Sequence, residues 1–165
     1  METRTTRVRF ATADEVDAAV AVWRSSNEAR PGGLPTPPEV EATVRRWMAV
    51  PDAMLLVAER GDQIVGMTLG VNGRADSGAG AAIPGLCHIS LVFVAPGAWG
   101  QGIGAQLLDA LLAEARRRGY DRVQLWTQET NFRAQRLYSG RQFRLTGDTE
   151  VNPAGETVMR FERPL

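Results

Sequence analysis

The sequence predicts a single α/β (α+β) domain, and three observations carry that prediction. A β-branched strand, Val92-Phe93-Val94, runs into a glycine-rich turn that opens a long helix. Short apolar segments elsewhere alternate with helical periodicity, so strands and helices are interleaved along the chain. With 165 residues the chain can bury one substantial core, whereas two would be crowded.

Taken in order, Arg7 to Phe10 is a short strand candidate. Asp14 to Glu28 reads as an amphipathic helix starting at Asp14, with Val16, Ala19, Val20 and Trp23 on one face. Residues 31–38 hold four prolines and two glycines and must be a loop. A second helix, Pro38 to Ala49, opens with Pro and acidic residues at its positive end. Met54 to Glu59 and Gln63 to Val71 pair as a hairpin around Gly61-Asp62. Asn72 to Pro84, rich in Gly and Ala, reads as a flexible connection to the strand Leu86 to Val94. A helix from Gly102 to Arg118, a strand from Val123 to Thr127, a helix beginning at Asn131, and a hairpin of Arg144 to Glu150 with Val158 to Phe161 complete the chain.

Composition bounds the setting. The formal charge is zero, so nothing draws the protein to nucleic acid or an anionic membrane, and Arg116-Arg117-Arg118 reads as cations complementing a helix C-terminus. The single cysteine, Cys87, forms no intramolecular disulfide and reads as buried filler. No apolar run is long enough to cross a bilayer, and Met1-Glu2-Thr3-Arg4 leads into no secretory segment, so a cytoplasmic enzyme is expected.

The turn Trp99-Gly100-Gln101-Gly102-Ile103-Gly104 is built to hold an anion. A helix N-terminus leaves backbone N–H groups unpaired and carries roughly half a positive charge, and glycines let the main chain come close to a ligand. A P-loop would need a lysine after its glycines, and this chain has none. A dinucleotide fingerprint has a different glycine spacing, which leaves a Rossmann-type nucleotide-binding protein as an alternative.

The segment resembles the acyl-CoA loop of the GCN5-related N-acetyltransferase (GNAT) family, whose signature is Arg or Gln, two residues, Gly, one residue, then Gly or Ala. Trp99 departs from it at the first position. Downstream, Asn131-Phe132-Arg133-Ala134-Gln135-Arg136-Leu137-Tyr138 resembles the family's next helix, and Gln142-Phe143 stands where Gly-Phe is usual. The resemblance implies a mixed, mostly antiparallel sheet of six to seven strands flanked by about four helices, with acetyl-CoA in a cleft between the fourth and fifth strands. It implies no metal.

The same resemblance assigns roles. The main-chain N–H groups of Gly100, Gln101, Gly102, Ile103, Gly104 and Ala105 would contact phosphate, Val92, Phe93 and Val94 would pair with the pantetheine arm, and Asn131 would touch it. Tyr138 would face the sulfur; passing a proton from a phenol near 10 to a thiolate near 8.5 is uphill by roughly 2 kcal/mol. His88, the only histidine, stands where some members carry a carboxylate base. Four residues of strand span roughly 13 Å, so His88 would act through water. An imidazole at its ordinary value would place an acid limb near pH 6 to 7. Glu129 is the other candidate base, and Glu28, Asp76 and Glu129 are candidate partners for a cationic acceptor. The expected reaction is direct transfer to a primary amine of a small molecule or peptide in a ternary complex, with an acyl-CoA-binding sensor as the alternative. Dimers are common in the family.

Overall fold

A computed structural model describes residues 5–165. Met1–Arg4, on which the reading of the N-terminus as non-secretory rested, lie outside the described residues. Seven strands and four α-helices follow one another as β1 (Thr6–Phe10), α1 (Val16–Ala29), α2 (Pro38–Met48), β2 (Met54–Arg60), β3 (Gln63–Arg74), β4 (Ala82–Val94), α3 (Ile103–Arg117), β5 (Arg122–Gln128), α4 (Phe132–Ser139), β6 (Arg144–Val151) and β7 (Thr157–Pro164). The strand order is β1-β2-β3-β4-β5-β7-β6. Pairing is antiparallel for β1–β2, β2–β3, β5–β7 and β6–β7 and parallel for β4–β5, giving the mixed, mostly antiparallel sheet that was expected. A doubly wound dinucleotide fold needs a largely parallel sheet, so that alternative does not fit.

The chain divides into two units, each with its own packing. The first takes the residues up to Val71 together with Leu91–Ala113. In it Ala19, Val20 and Trp23 of α1 and Val44 and Met48 of α2 pack with Val57, Met67, Leu69 and Leu91 of the strands, as the amphipathic pattern of α1 required. A second cluster joins Ala58 to Ala98, Ile103 and Leu107, with Val94 against it. Gly66 sets how closely α3 lies on β3, because a Cβ there would come within 2.9 Å of Leu107 Cδ1 and 3.1 Å of Ile103 Cγ2.

Several boundaries differ from the pattern-based expectation; the last strand, for one, runs over Thr157–Pro164 rather than 158–161, and two further differences have a visible cause. The helix expected at Asp14 begins instead at Val16, because Ala13–Glu15 form a separate 3-10 turn. That turn is closed by Glu15, which accepts from the Thr12 N–H at 2.9 Å and from Arg9 Nη1 at 2.6 Å. The connection expected over 72–84 is shorter, since β3 runs on to Arg74 and β4 starts at Ala82, which leaves residues 75–81 as the turn. Gly73 at the start of that expected connection serves packing. A Cβ on Gly73 would sit 2.4 Å from Leu86 Cδ2, so the glycine makes room for that buried leucine.

The second unit holds Asn72–Ser90 and Glu114–Leu165. Here β5 alternates buried and half-buried residues, with Val123, Leu125 and Thr127 inward. Phe143 and Phe161 pack against Tyr138 of α4 at ring-centroid distances of 5.9 and 6.0 Å. The exit from α4 explains why glycine is usual at residue 142. Phe143 N–H returns to the Tyr138 carbonyl at 3.1 Å, and this reversal puts Gln142 at φ 68°, in the left-handed region. A side chain there costs about 1 kcal/mol. Gln142→Gly should therefore raise stability by up to about 1 kcal/mol, or about 2–3 °C in Tm. A thermal melt in which the variant is no more stable than wild type would contradict this strain.

Candidate functional site

The first unit carries a row of unsatisfied donors. Val94 ends β4, residues 96–98 make a 3-10 turn, and Gly100 and Gly102 take φ of 76° and 77° before α3 begins at Ile103. Positive φ at both positions turns the main chain so that successive N–H groups are left out of any ladder. Trp99 N–H still bonds the Pro96 carbonyl, and Gln106 N–H bonds the Gly102 carbonyl at 3.1 Å. Between them, the N–H groups of residues 100–105 donate to no acceptor among the described residues. Nothing lies within 4 Å of a Cβ built on Gly102, so the space beside the turn is open. Six successive main-chain donors at a helix N-terminus, on residues that are exposed or half-exposed apart from the buried Ile103, fit a phosphate or diphosphate group.

Two side chains support this turn that its local sequence does not disclose. Trp99 Nε1 donates to the Val94 carbonyl at 2.7 Å, tying the turn back to the end of β4. The residue that departs from the family signature thus fixes the loop. Arg60, at the end of β2, donates from Nη1 to Gln101 Oε1 at 2.5 Å and from Nη2 to Thr6 Oγ1 at 3.1 Å. No charge pattern marks Arg60 in the sequence; only the lack of any charged residue between Ala95 and Leu108 hints that a cation must come from elsewhere.

Val92, Phe93 and Val94 form the last residues of β4. The ladder that joins β4 to β5 covers Leu86–Ile89 with Arg122–Leu125, and Val92–Val94 lie beyond it. Phe93 packs toward the α1–α2 cluster and Val94 toward the Ile103 cluster, so the two side chains brace this strand end from opposite faces.

The second unit contains Asn131, Tyr138 and His88. Asn131 caps α4, its Oδ1 accepting the Ala134 N–H at 3.1 Å, which leaves its amide N–H₂ without a partner among the described residues. Tyr138 is 8% exposed. Its hydroxyl has no hydrogen-bond partner among the described residues, yet no buried side-chain oxygen or nitrogen is left unsatisfied, so the hydroxyl oxygen reaches solvent while the ring is enclosed. Burial pushes the phenol up to about 12.

His88 pairs in register with Gln124 of β5, and its Nδ1 lies 3.4 Å from Gln124 Nε2. Gln124 Oε1 in turn accepts from Arg160 Nη1 at 3.4 Å. Burial lowers the imidazole to about 4, so the acid limb expected near pH 6 to 7 moves well below that range. Of the acidic candidates, Glu28 accepts the Thr36 N–H at 3.1 Å and so braces the proline-rich loop of the first unit. Asp76 and Glu129 are exposed in the second. Cys87 is fully buried, as expected of filler.

The sequence profile of the acetyltransferase (GNAT) family matches residues 19–143. Mycothiol acetyltransferase of Stackebrandtia nassauensis is 42% identical over 98 residues, which make up 59% of this chain and 30% of that protein. The match therefore spans less than a third of that relative's length. Among solved structures, a GCN5-related N-acetyltransferase from Kribbella flavida is similar at a TM-score of 0.72 and 26% identity, over 97% of this chain and 98% of that one. The Salmonella typhimurium protein yncA, solved with its cofactor acetyl-CoA, is similar in fold at a TM-score of 0.76 and 19% identity, over 98% and 94% of the two chains.

The burial of His88 has a thermodynamic consequence. Between pH 6.5 and 4 the unfolded chain binds a proton that the folded chain does not, so stability falls as pH drops through this window. Because the chain has one histidine, the decrease between pH 7 and 5, about 2 kcal/mol, belongs mostly to His88. Urea unfolding across this range should show that slope in wild type and lose most of it in His88→Gln. Equal slopes in both proteins would place the imidazole in water.

Proposed function

The chain belongs to the acetyltransferase (GNAT) family, and we propose that it moves an acetyl group from acetyl-CoA to a primary amine by direct transfer, with both substrates bound together. The observation that carries this reading is the run of N–H donors over residues 100–105 that have no acceptor among the described residues. Their number, their openness and the positive end of α3 suit the phosphates of the cofactor. Val92, Phe93 and Val94 supply main-chain groups for the pantetheine arm, and a strand-end N–H donates to the thioester oxygen, where negative charge develops. In the second unit Asn131, whose amide N–H₂ has no partner among the described residues, is available to pantetheine. When bound, acetyl-CoA supplies the activated acyl group, and no cysteine is acylated, in keeping with the burial of Cys87.

Tyr138 acts on the departing sulfur. Its phenol stays protonated throughout the physiological range, because burial pushes it up to about 12. Full transfer to a thiolate near 8.5 is then uphill by roughly 5 kcal/mol, against the roughly 2 expected for an ordinary phenol. Tyr138 therefore serves as a hydrogen-bond donor while charge builds on sulfur, rather than as an acid that gives up its proton early. His88 is neutral at working pH and too weakly basic to keep the proton of an ammonium near 10.4. Its role is to accept a hydrogen bond from a water that carries this proton toward solvent. Glu129 is exposed and stands as the alternative acceptor of that proton.

Tyr138→Phe is a clean test, because it removes a hydroxyl that bonds nothing among the described residues. Turnover with a reactive amine, followed by thiol release, should fall ~10- to 100-fold, the effect of losing one hydrogen bond to developing charge. The melting temperature and the affinity for acetyl-CoA should stay close to wild type. Unchanged turnover would leave Tyr138 as a core aromatic and remove it from the reaction.

A further inference from the structure

We propose that Arg60 is the cationic contact for the cofactor's phosphates and sets the preference for CoA over phosphate-free pantetheine. This proposal rests on the acetyl-CoA reading given above. The main chain of residues 100–105 offers only partial charges, and no side chain between Ala95 and Leu108 is charged. A diphosphate held there gains from a full positive charge in hydrogen-bond reach. Arg60 is the residue that brings one to the turn, through its bond to Gln101.

The partners of Arg60 set it apart from the other arginines of the first unit that anchor elements. Arg9 is paired with Glu15 and Glu59, Arg24 with Glu41, and Arg45 with Asp17 and Glu41. Arg60 bonds only neutral oxygens among the described residues, Thr6 Oγ1 and Gln101 Oε1. Its charge is therefore not cancelled. Thr6 takes both Nε and Nη2, at 3.2 and 3.1 Å, which orients the planar group while Nη1 points at the turn. Gln101 Oε1 on Nη1 is exposed and uncharged, so a phosphate oxygen can take its place with a gain in charge pairing. This also fits the presence of Trp99 at the start of the signature. With the indole committed to the Val94 carbonyl, the turn has no cation of its own and draws one from β2.

The test is calorimetric titration of wild type, Arg60→Gln and Arg60→Lys with CoA and with pantetheine, which lacks every phosphate. Arg60→Gln should weaken CoA about 10-fold and leave pantetheine within about twofold, because one charge-assisted contact is lost from the phosphates alone. Arg60→Lys should recover most of the loss, and the salt dependence of CoA binding should flatten in Arg60→Gln. Melting temperatures for the three proteins show whether the fold is intact. Equal weakening of both ligands, or CoA binding unchanged in Arg60→Gln, would overturn the assignment of Arg60 while leaving the cofactor reading in place. Failure of wild type to bind CoA at all would overturn both.

Discussion

Residues 100–105 present six successive main-chain N–H groups that have no acceptor among the described residues, an arrangement that lasts only while the turn keeps them out of any ladder. Much of the first unit exists to hold them so. Ile103 and Leu107 anchor the start of α3 on Ala58, and Gly66 clears the path for that contact. Trp99 binds the turn back to the end of β4, and Ala95 N–H bonds the Val65 carbonyl at 2.8 Å, so both ends of the turn are tethered. An exposed glycine loop held this firmly loses little entropy when a ligand arrives, which is the physical advantage of preorganisation.

In the second unit, burial acts on the two side chains to which the proposed chemistry assigns roles. Tyr138 and His88 are both pushed toward their neutral forms, the phenol upward and the imidazole downward. Neither can serve as a store for a proton near neutral pH. In the proposed direct transfer both would orient and polarise, the first as donor and the second as acceptor. The Gln142 reversal belongs to the same account. By returning Phe143 to the Tyr138 carbonyl, it closes an aromatic wall around the phenol ring, at the cost of a side chain in the left-handed region.

The legible part of the sequence was its local part. Apolar spacing, turn residues and helix starts located the strands and the first three helices, because backbone geometry imposes these local patterns, and the family resemblance located the fourth helix. The glycine turn and the α4 helix were legible because their chemistry lies in consecutive residues. The connection over 72–84 was read too long at both ends, and at its start the reason is that Gly73 answers to Leu86, a residue distant in sequence. Arg60 and Trp99 escaped for the same reason: one reaches Gln101 from a distant strand, and the other uses its indole N–H rather than its apolar ring. The shifts of Tyr138 and His88 depend on how much water the fold removes, which residue identity alone does not encode.

The central claim is that the main-chain N–H groups of residues 100–105 bind the phosphates of CoA. The most direct measurement is a two-dimensional ¹⁵N–¹H spectrum of the protein titrated with CoA. The amide signals of Gly100, Gln101, Gly102, Ile103, Gly104 and Ala105 should shift downfield together and saturate at one affinity, as expected for N–H groups gaining anionic acceptors. Saturable shifts confined to other residues, with these six amides unmoved, would contradict it.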